Sequence, residues 1–270
     1  MTGEDVLEAS DPAALLDGVR SACLRAGETI LAIAHGGAWE ASNKADGSPL
    51  THADLAAHAV LVEALRALTP ETLIVSEETA CDVAELPKRF WLVDPLDGTR
   101  EFVAGNGEYT VNVALIEHGV PVLGVVHAPA RGATYAAARG SGATRRDARG
   151  DHAIRARADG PLTVVASRSH PSPSLASFLA ALPAHDVVEL GSSLKLCLVA
   201  DGTAQLYARL GPTCSWDTAA AHAIVLAAGA YVVALDGTPL RYGARDMRNP
   251  PFVCSSLPRE AWARAVLAIR

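Results

Sequence analysis

The chain has 270 residues, half of them hydrophobic, and a formal net charge of −7. This length suits one large domain or two closely packed ones. The acidic balance leaves no electrostatic footprint for a nucleic-acid polymer or an anionic membrane, although a local basic pocket for a small phosphorylated ligand stays open.

The N-terminal stretch "MTGEDVLEASDPAALLDGV" begins acidic and has neither the basic start nor the apolar core of a secretion signal. From Asp11 to about Ala34 the apolar residues Leu15, Val19, Cys23, Ala26 and Ile30 recur at helical spacing. A polar stretch, "EASNKADGSPL", separates this helix from a second, expected from about Thr51 to Leu68. The runs "ETLIVSEE" and "RFWLVD" read as strands with acidic residues at or just past their C-terminal ends. The segments "YTVNVALI", "VLGVVHA" and "TYAAA", separated by turn signals, predict an antiparallel meander, and Gly140 to Gly160 reads as an exposed loop or domain junction.

Strand and helix patterns then alternate: "LTVVASR", a helix near Ser174–Ala181, "DVVELG", a helix from Ser193 and "AQLYARL". A helix from Asp217 to Ala228, "AYVVAL", "PFVCSS" and a last helix after Pro258 complete the chain. The fold class is α/β (α+β), with sheets layered between helices. The longest apolar run, "AHAIVLAAGAYVVAL", is too short for a membrane span and is interrupted by His222 and Gly229, so a cytoplasmic protein is expected. Cys23, Cys81, Cys197, Cys214 and Cys254 are scattered, which suits reduced thiols.

Chemistry concentrates in carboxylates. In "VDPLDGT", Asp94 and Asp97 flank Pro95 and Leu96, and a turn there could aim both carboxylates and the Leu96 carbonyl at one hard cation. Gly98 permits a close approach, and Thr99 adds a hydroxyl at a helical start. An Asx-type turn with a helix cap explains the same residues. Glu77 and Glu78 end the preceding strand, as a metal-side pair or as a solvated strand end. Asp217, after Trp216, reads as a site carboxylate or a first-turn cap residue, and Asp54 completes a capping box with Thr51. Each site has a structural reading, but all four fall at strand ends or helix starts, where α/β folds present functional groups.

Taken together, "KADGSPLTHADLAAH", "IVSEE", "WLVDPLDGTREF", "GEYTVNVALIEHGVPVLGVVHAPA", "SRSH" and "GSSLKLCLVADGTAQLYARLGPTCSWDTAAAHAIV" resemble the magnesium-dependent, lithium-sensitive phosphatases related to inositol monophosphatase. Within that superfamily they look most like the bacterial 3'(2'),5'-bisphosphate nucleotidases of the CysQ type. The resemblance implies a layered αβαβα sandwich and two or three Mg²⁺ ions per site. The ions would be held by Glu77, Asp94, Asp97, Asp217 and the Leu96 carbonyl, several of which also touch the substrate together with Gly98 and Thr99. It implies that Asp54 and Thr99 orient and help deprotonate the attacking water, with Glu78 in support, and that Ser167, His170, Gly191 and Lys195 hold the nucleotide. Read from their own surroundings, Lys195 could be a solvated helix lysine and His170 a loop cap.

Residues 1–158 are then expected to form an N-terminal α+β domain with most metal ligands, and residues 159–270 a C-terminal α/β domain with the nucleotide contacts and the last metal ligand. The implied reaction converts adenosine 3',5'-bisphosphate to AMP and phosphate in sulfur metabolism. The alternatives are an inositol or sugar phosphatase and, more remotely, a non-catalytic protein that binds phosphorylated ligands. Leu210 stands in the region where inositol monophosphatases usually carry a glutamate, which disfavours the inositol reading, while Arg100 retains a cation where many relatives have lysine. The family also leads to the expectation of a homodimer, and nothing in the sequence marks peripheral membrane association.

Overall fold

The computed structural model describes residues 11–36, 41–43, 49–79 and 85–269. Helix α1 (Pro12–Gly36) buries Leu15, Val19, Cys23, Ala26 and Ile30, the stripe expected from the sequence. Strands β1 (Ala41–Asn43) and β2 (Pro49–Thr51) pair antiparallel inside the stretch read as irregular. Helix α2 (His52–Leu68) follows, with Thr51 as its cap, and buries Ala53, Asp54, Ala57, Leu61 and Leu65.

A seven-stranded sheet runs in sequence order from β3 (Leu73–Ser76) and β4 (Arg89–Asp97) through β5 (Thr110–Glu117), β6 (Val120–Ala128) and β7 (Ala133–Ala138) to β8 (Gly142–Asp147) and β9 (Gly150–Ile154). The short helix α3 (Thr99–Val103) lies between β4 and β5. The predicted meander is β5–β6–β7. The predicted loop at 140–160 is instead the hairpin β8–β9, which extends the sheet. It carries no apolar alternation because it is an edge. Arg145 and Arg146 find partners in Asp147, Asp201 and Asp151 where core strands would bury side chains.

The second sheet has five strands in the order β11-β10-β12-β14-β13. These are β10 (Thr163–Ser167), β11 (Asp186–Leu190), β12 (Leu206–Arg209), β13 (Tyr231–Ala234) and β14 (Phe252–Ser255). Between them come α4 (Pro173–Ala180), α5 (Leu194–Ala200) and α6 (Ser215–Ala227), and α7 (Ala263–Val266) ends the chain after a 3₁₀ turn at Arg259–Ala261.

The alternation of side chains across β4 shows how the layers form. Trp91 and Val93 face α1 and α2, whereas Phe90 and Leu92 face the core built on α5, α6 and the second sheet. The far face of the second sheet, through Val164, Leu206 and Val253, packs on Phe178 of α4 and on Ala265 of α7. The stack is therefore α1/α2, seven strands, α5/α6, five strands, α4/α7, the expected αβαβα sandwich. Helix α6 lies between two sheets and is buried almost all round, which explains its weak amphipathic pattern. It sits so close that a Cβ on Gly124 of β6 would fall 2.1 Å from the Ala220 carbonyl oxygen. Cys23, Cys197 and Cys254 are buried free thiols, and Cys81 lies outside the described residues. Among the described residues no helix is long and apolar enough to cross a membrane.

Candidate active site

A cavity of about 680 Å³ opens where the C-terminal ends of β3 and β4 meet the start of α6 and the ends of β10 and β12. Its wall includes Glu77, Asp94, Leu96, Asp97, Gly98, Thr99, Ser167, His170, Lys195 and Asp217.

The two aspartates of β4 meet by a different device from the turn read in the sequence. Strand β4 continues to Asp97, and its register against β5 shifts between Asp94 (opposite Asn112) and Asp97 (opposite Thr110). Three steps on β4 thus match two on β5, which is a bulge of one residue at Pro95-Leu96. Residues three apart on a regular strand point to opposite faces, and the extra residue reverses that parity, so both carboxylates reach the same cavity. Proline suits the bulge because it has no N–H to give the ladder. The chain turns only at Gly98, whose φ of 92° and ψ of 43° are left-handed, and α3 begins at Thr99.

Asp54 does what both of its readings require. Its Oδ2 accepts the Thr51 N–H (2.8 Å) and the Thr51 hydroxyl (2.6 Å), closing the cap of α2. Its Oδ1 lies 3.3 Å from the Thr99 hydroxyl, which also lies 3.3 Å from the Leu96 carbonyl oxygen. Asp54 is fully buried and sits behind Thr99, not on the cavity wall. Asp217 likewise caps its helix, accepting the Cys214 N–H at 2.8 Å while lining the cavity beside the half-buried Trp216.

Charges of both signs line the cavity. Burial, and then the charges of Glu77, Asp97 and Asp217, push Asp94 well above the usual carboxylate range. Asp217 is pushed up to about 8 by burial and then by Asp97. Asp97 is raised by burial but held back by Lys195 and by the bonds from Ser193. In the same cavity, burial lowers Lys195 to about 8, and burial together with Arg209, Arg100 and Lys195 lowers His170. Among the described residues, no three His, Cys, Asp or Glu side chains are already drawn into a closed metal cluster. The donor set nevertheless fits a hard divalent cation: it consists of carboxylates and a carbonyl, and their mutual repulsion is what a cation relieves.

Two predicted residues lie elsewhere. Glu78 is half-buried beyond the wall, its N–H 3.4 Å from the Ser76 hydroxyl that bonds His58. Gly191 gives its N–H to Glu108 Oε2 at 2.8 Å and is not on the cavity wall. A Cβ there would fall 2.8 Å from Glu101 Cγ and 2.9 Å from the Glu108 carbonyl oxygen, so glycine serves close packing. Gly191→Ala should therefore lower stability by about 1–3 kcal/mol, measured by denaturant unfolding; an unchanged midpoint would refute this packing role.

Other site residues escape a sequence reading. Ser193 donates its N–H to Asp97 Oδ2 (2.6 Å), its hydroxyl to the Asp217 carbonyl, and accepts from Asn112 (2.9 Å), tying both acidic segments together. Ser192 before it has a φ of 51°, strain of about 1–3 kcal/mol that directs its carbonyl to the Lys195 ammonium. Arg209 is buried on the cavity wall, donating to the Pro212 carbonyl while its Nε has no partner. The only local sign of these roles is polar residues placed just outside apolar runs.

Comparison with known proteins gives the chain a family. The profile of the inositol monophosphatase family matches residues 11–269. The 3'(2'),5'-bisphosphate nucleotidase CysQ of Escherichia coli (strain K12) is 47% identical over 242 residues, covering 88% of this chain and 98% of that protein. Its Salmonella typhimurium counterpart is 48% identical over the same length. Among solved structures, CysQ from Bacteroides thetaiotaomicron, described as a bacterial member of the inositol monophosphatase family, superposes with a TM-score of 0.78 at 38% identity, covering 88% and 96% of the two chains. The inositol monophosphatase of Anabaena sp. PCC 7120 gives 0.76 at 25% identity, covering 96% and 97%. Sandwich, acidic strand ends and sequence kinship agree, and the chain belongs to the inositol monophosphatase family.

Proposed function

We propose that the chain is a Mg²⁺-dependent 3'(2'),5'-bisphosphate nucleotidase that converts adenosine 3',5'-bisphosphate to AMP and phosphate. The observation that carries this reading is one cavity lined both by carboxylates, Glu77, Asp94, Asp97 and Asp217, and by the cationic groups Lys195, Arg209 and Arg100. A substrate with two phosphates needs both: one end for the reacting phosphate and one for the phosphate that stays. Kinship with the CysQ proteins, whose names state this activity, supports the choice.

Glu77, Asp94, Asp97, Asp217 and the Leu96 carbonyl would hold two or three Mg²⁺ ions. When bound, the ions neutralise phosphate oxygens, supply a hydroxide-like water and stabilise the leaving alkoxide. The Thr99 hydroxyl passes a proton toward Asp54 Oδ1 as it orients the attacking water, while Thr51 fixes the other carboxylate oxygen. Ser167, His170 and Lys195, with Arg209 beside them, receive the nucleotide and its retained phosphate. Gly98 lets α3 begin close to the reacting end, Gly191 acts through the packing of its loop, and Glu78 supports the acidic strand end.

Lithium sensitivity, a homodimer and a cytoplasmic site of action belong to the same family-based reading. So does a division at residues 158/159, supported by the gap between the last strand of the first sheet and the first of the second. Purified protein should release phosphate from adenosine 3',5'-bisphosphate only with Mg²⁺, be inhibited by lithium, and show lower kcat/KM on inositol 1-phosphate. Robust turnover in excess chelator, or preference for the inositol ester, would reject the reading.

A further inference from the structure

The nucleotide-side groups flank two loops of the second sheet: Ser167 ends β10 and His170 lies on the loop after it, while Lys195 lies in the first turn of α5, beyond the loop after β11. Both loops are gripped by a residue of the other half of the molecule. Glu108, just ahead of β5, has a side chain only 7% exposed. Its Oε2 accepts Arg168 Nε at 3.0 Å and the Gly191 N–H at 2.8 Å. Its Oε1 accepts an Arg168 terminal nitrogen at 2.9 Å and an Arg131 terminal nitrogen at 3.3 Å.

Arg168 stands between Ser167 and His170, and it also donates to the Glu189 carbonyl at 2.9 Å, joining the two loops to each other. Neither Glu108 nor Arg168 lines the cavity. A second strut runs the same way: the Ser169 hydroxyl donates to Glu101, on the helix that follows the acidic bulge. The bidentate guanidinium–carboxylate pair has one fixed geometry, so it sets orientation as well as distance.

We infer that the Glu108–Arg168 pair is a specificity-determining positioning clamp, which fixes the distance between the acidic wall and the loops that receive the retained phosphate. Asp94, Asp97 and Thr99 are also held by β4, β5 and α2, and the Ser193 N–H holds Asp97 directly from the second loop, so the carboxylates keep anchors of their own when the clamp is cut. The clamp therefore acts on the fit of a substrate with two separated phosphates, and it rests on the nucleotidase reading.

The test is steady-state kinetics of wild type, Glu108→Ala, Arg168→Gln and the double variant on adenosine 3',5'-bisphosphate in saturating Mg²⁺, with thermal unfolding alongside. Each single variant should raise KM by about 10- to 100-fold with kcat within about threefold, and the double variant should add little to either. Arg168 is 45% exposed on its side chain, so Arg168→Gln tests the clamp even if Glu108→Ala does not fold. A folded Arg168→Gln with wild-type KM would overturn the clamp, as would kcat losses that follow the melting temperature. A wild type without turnover of the bisphosphate would retire the functional reading, and the clamp with it.

Discussion

Asp94→Asn should lower kcat by about 100- to 1,000-fold or more, while the variant in excess chelator unfolds no earlier than the parent. The two halves of this result have one cause. Asp94 is buried among Glu77, Asp97 and Asp217, and both burial and these charges disfavour its ionised form. An asparagine keeps the acceptor for the Leu96 N–H, now 3.1 Å from Oδ1, and removes the charge. The fold loses repulsion and the site loses the anionic donor proposed to hold its cation. Phosphate release measures the first effect, and melting with chelator and with Mg²⁺ measures the second. The melting shift produced by Mg²⁺ should shrink in the variant. Retained turnover would remove Asp94 from the proposed ligand set.

The second large effect separates the two roles of Asp54. Asp54→Asn should reduce kcat by about 10²- to 10⁴-fold, because the oxygen facing Thr99 no longer belongs to a base. Thr51→Ala deletes the hydroxyl on the other oxygen and removes the helix cap, at a cost of about 0.5–2 kcal/mol, with kcat within a few-fold of wild type. Unfolding and initial rates on the same preparations distinguish the outcomes. If both variants lost activity in step with stability, Asp54 would be a cap and nothing else.

The legibility of the fold followed the physics of each element. Helices α1 and α2 bury one stripe against one sheet, so their boundaries could be read to within about two residues. The hairpin β8–β9 could not be read, because an edge stabilised by arginine–aspartate pairs looks like a polar loop. The proline in β4 reads as a turn in the sequence because a one-residue bulge and a turn share the same local chemistry; only pairing with β5 tells them apart. In the site, the carboxylates were legible through their order along the chain. Ser193 and Glu108 were not, since each acts on partners far away in sequence, Ser193 nearly a hundred positions from Asp97.

The contrast between Asp54 and Asp94 also bears on how descendants of this enzyme would decay. A chain released from catalysis would still need Asp54 to start its second helix, so that residue would persist as a relic with no bearing on activity. The charge of Asp94 is unfavourable to the bare fold, and its bond from the Leu96 N–H survives in an asparagine, so drift would erase the carboxylate early. In relatives of doubtful competence, the aspartate before the bulge proline is therefore the informative position, and the aspartate of the capping box is not.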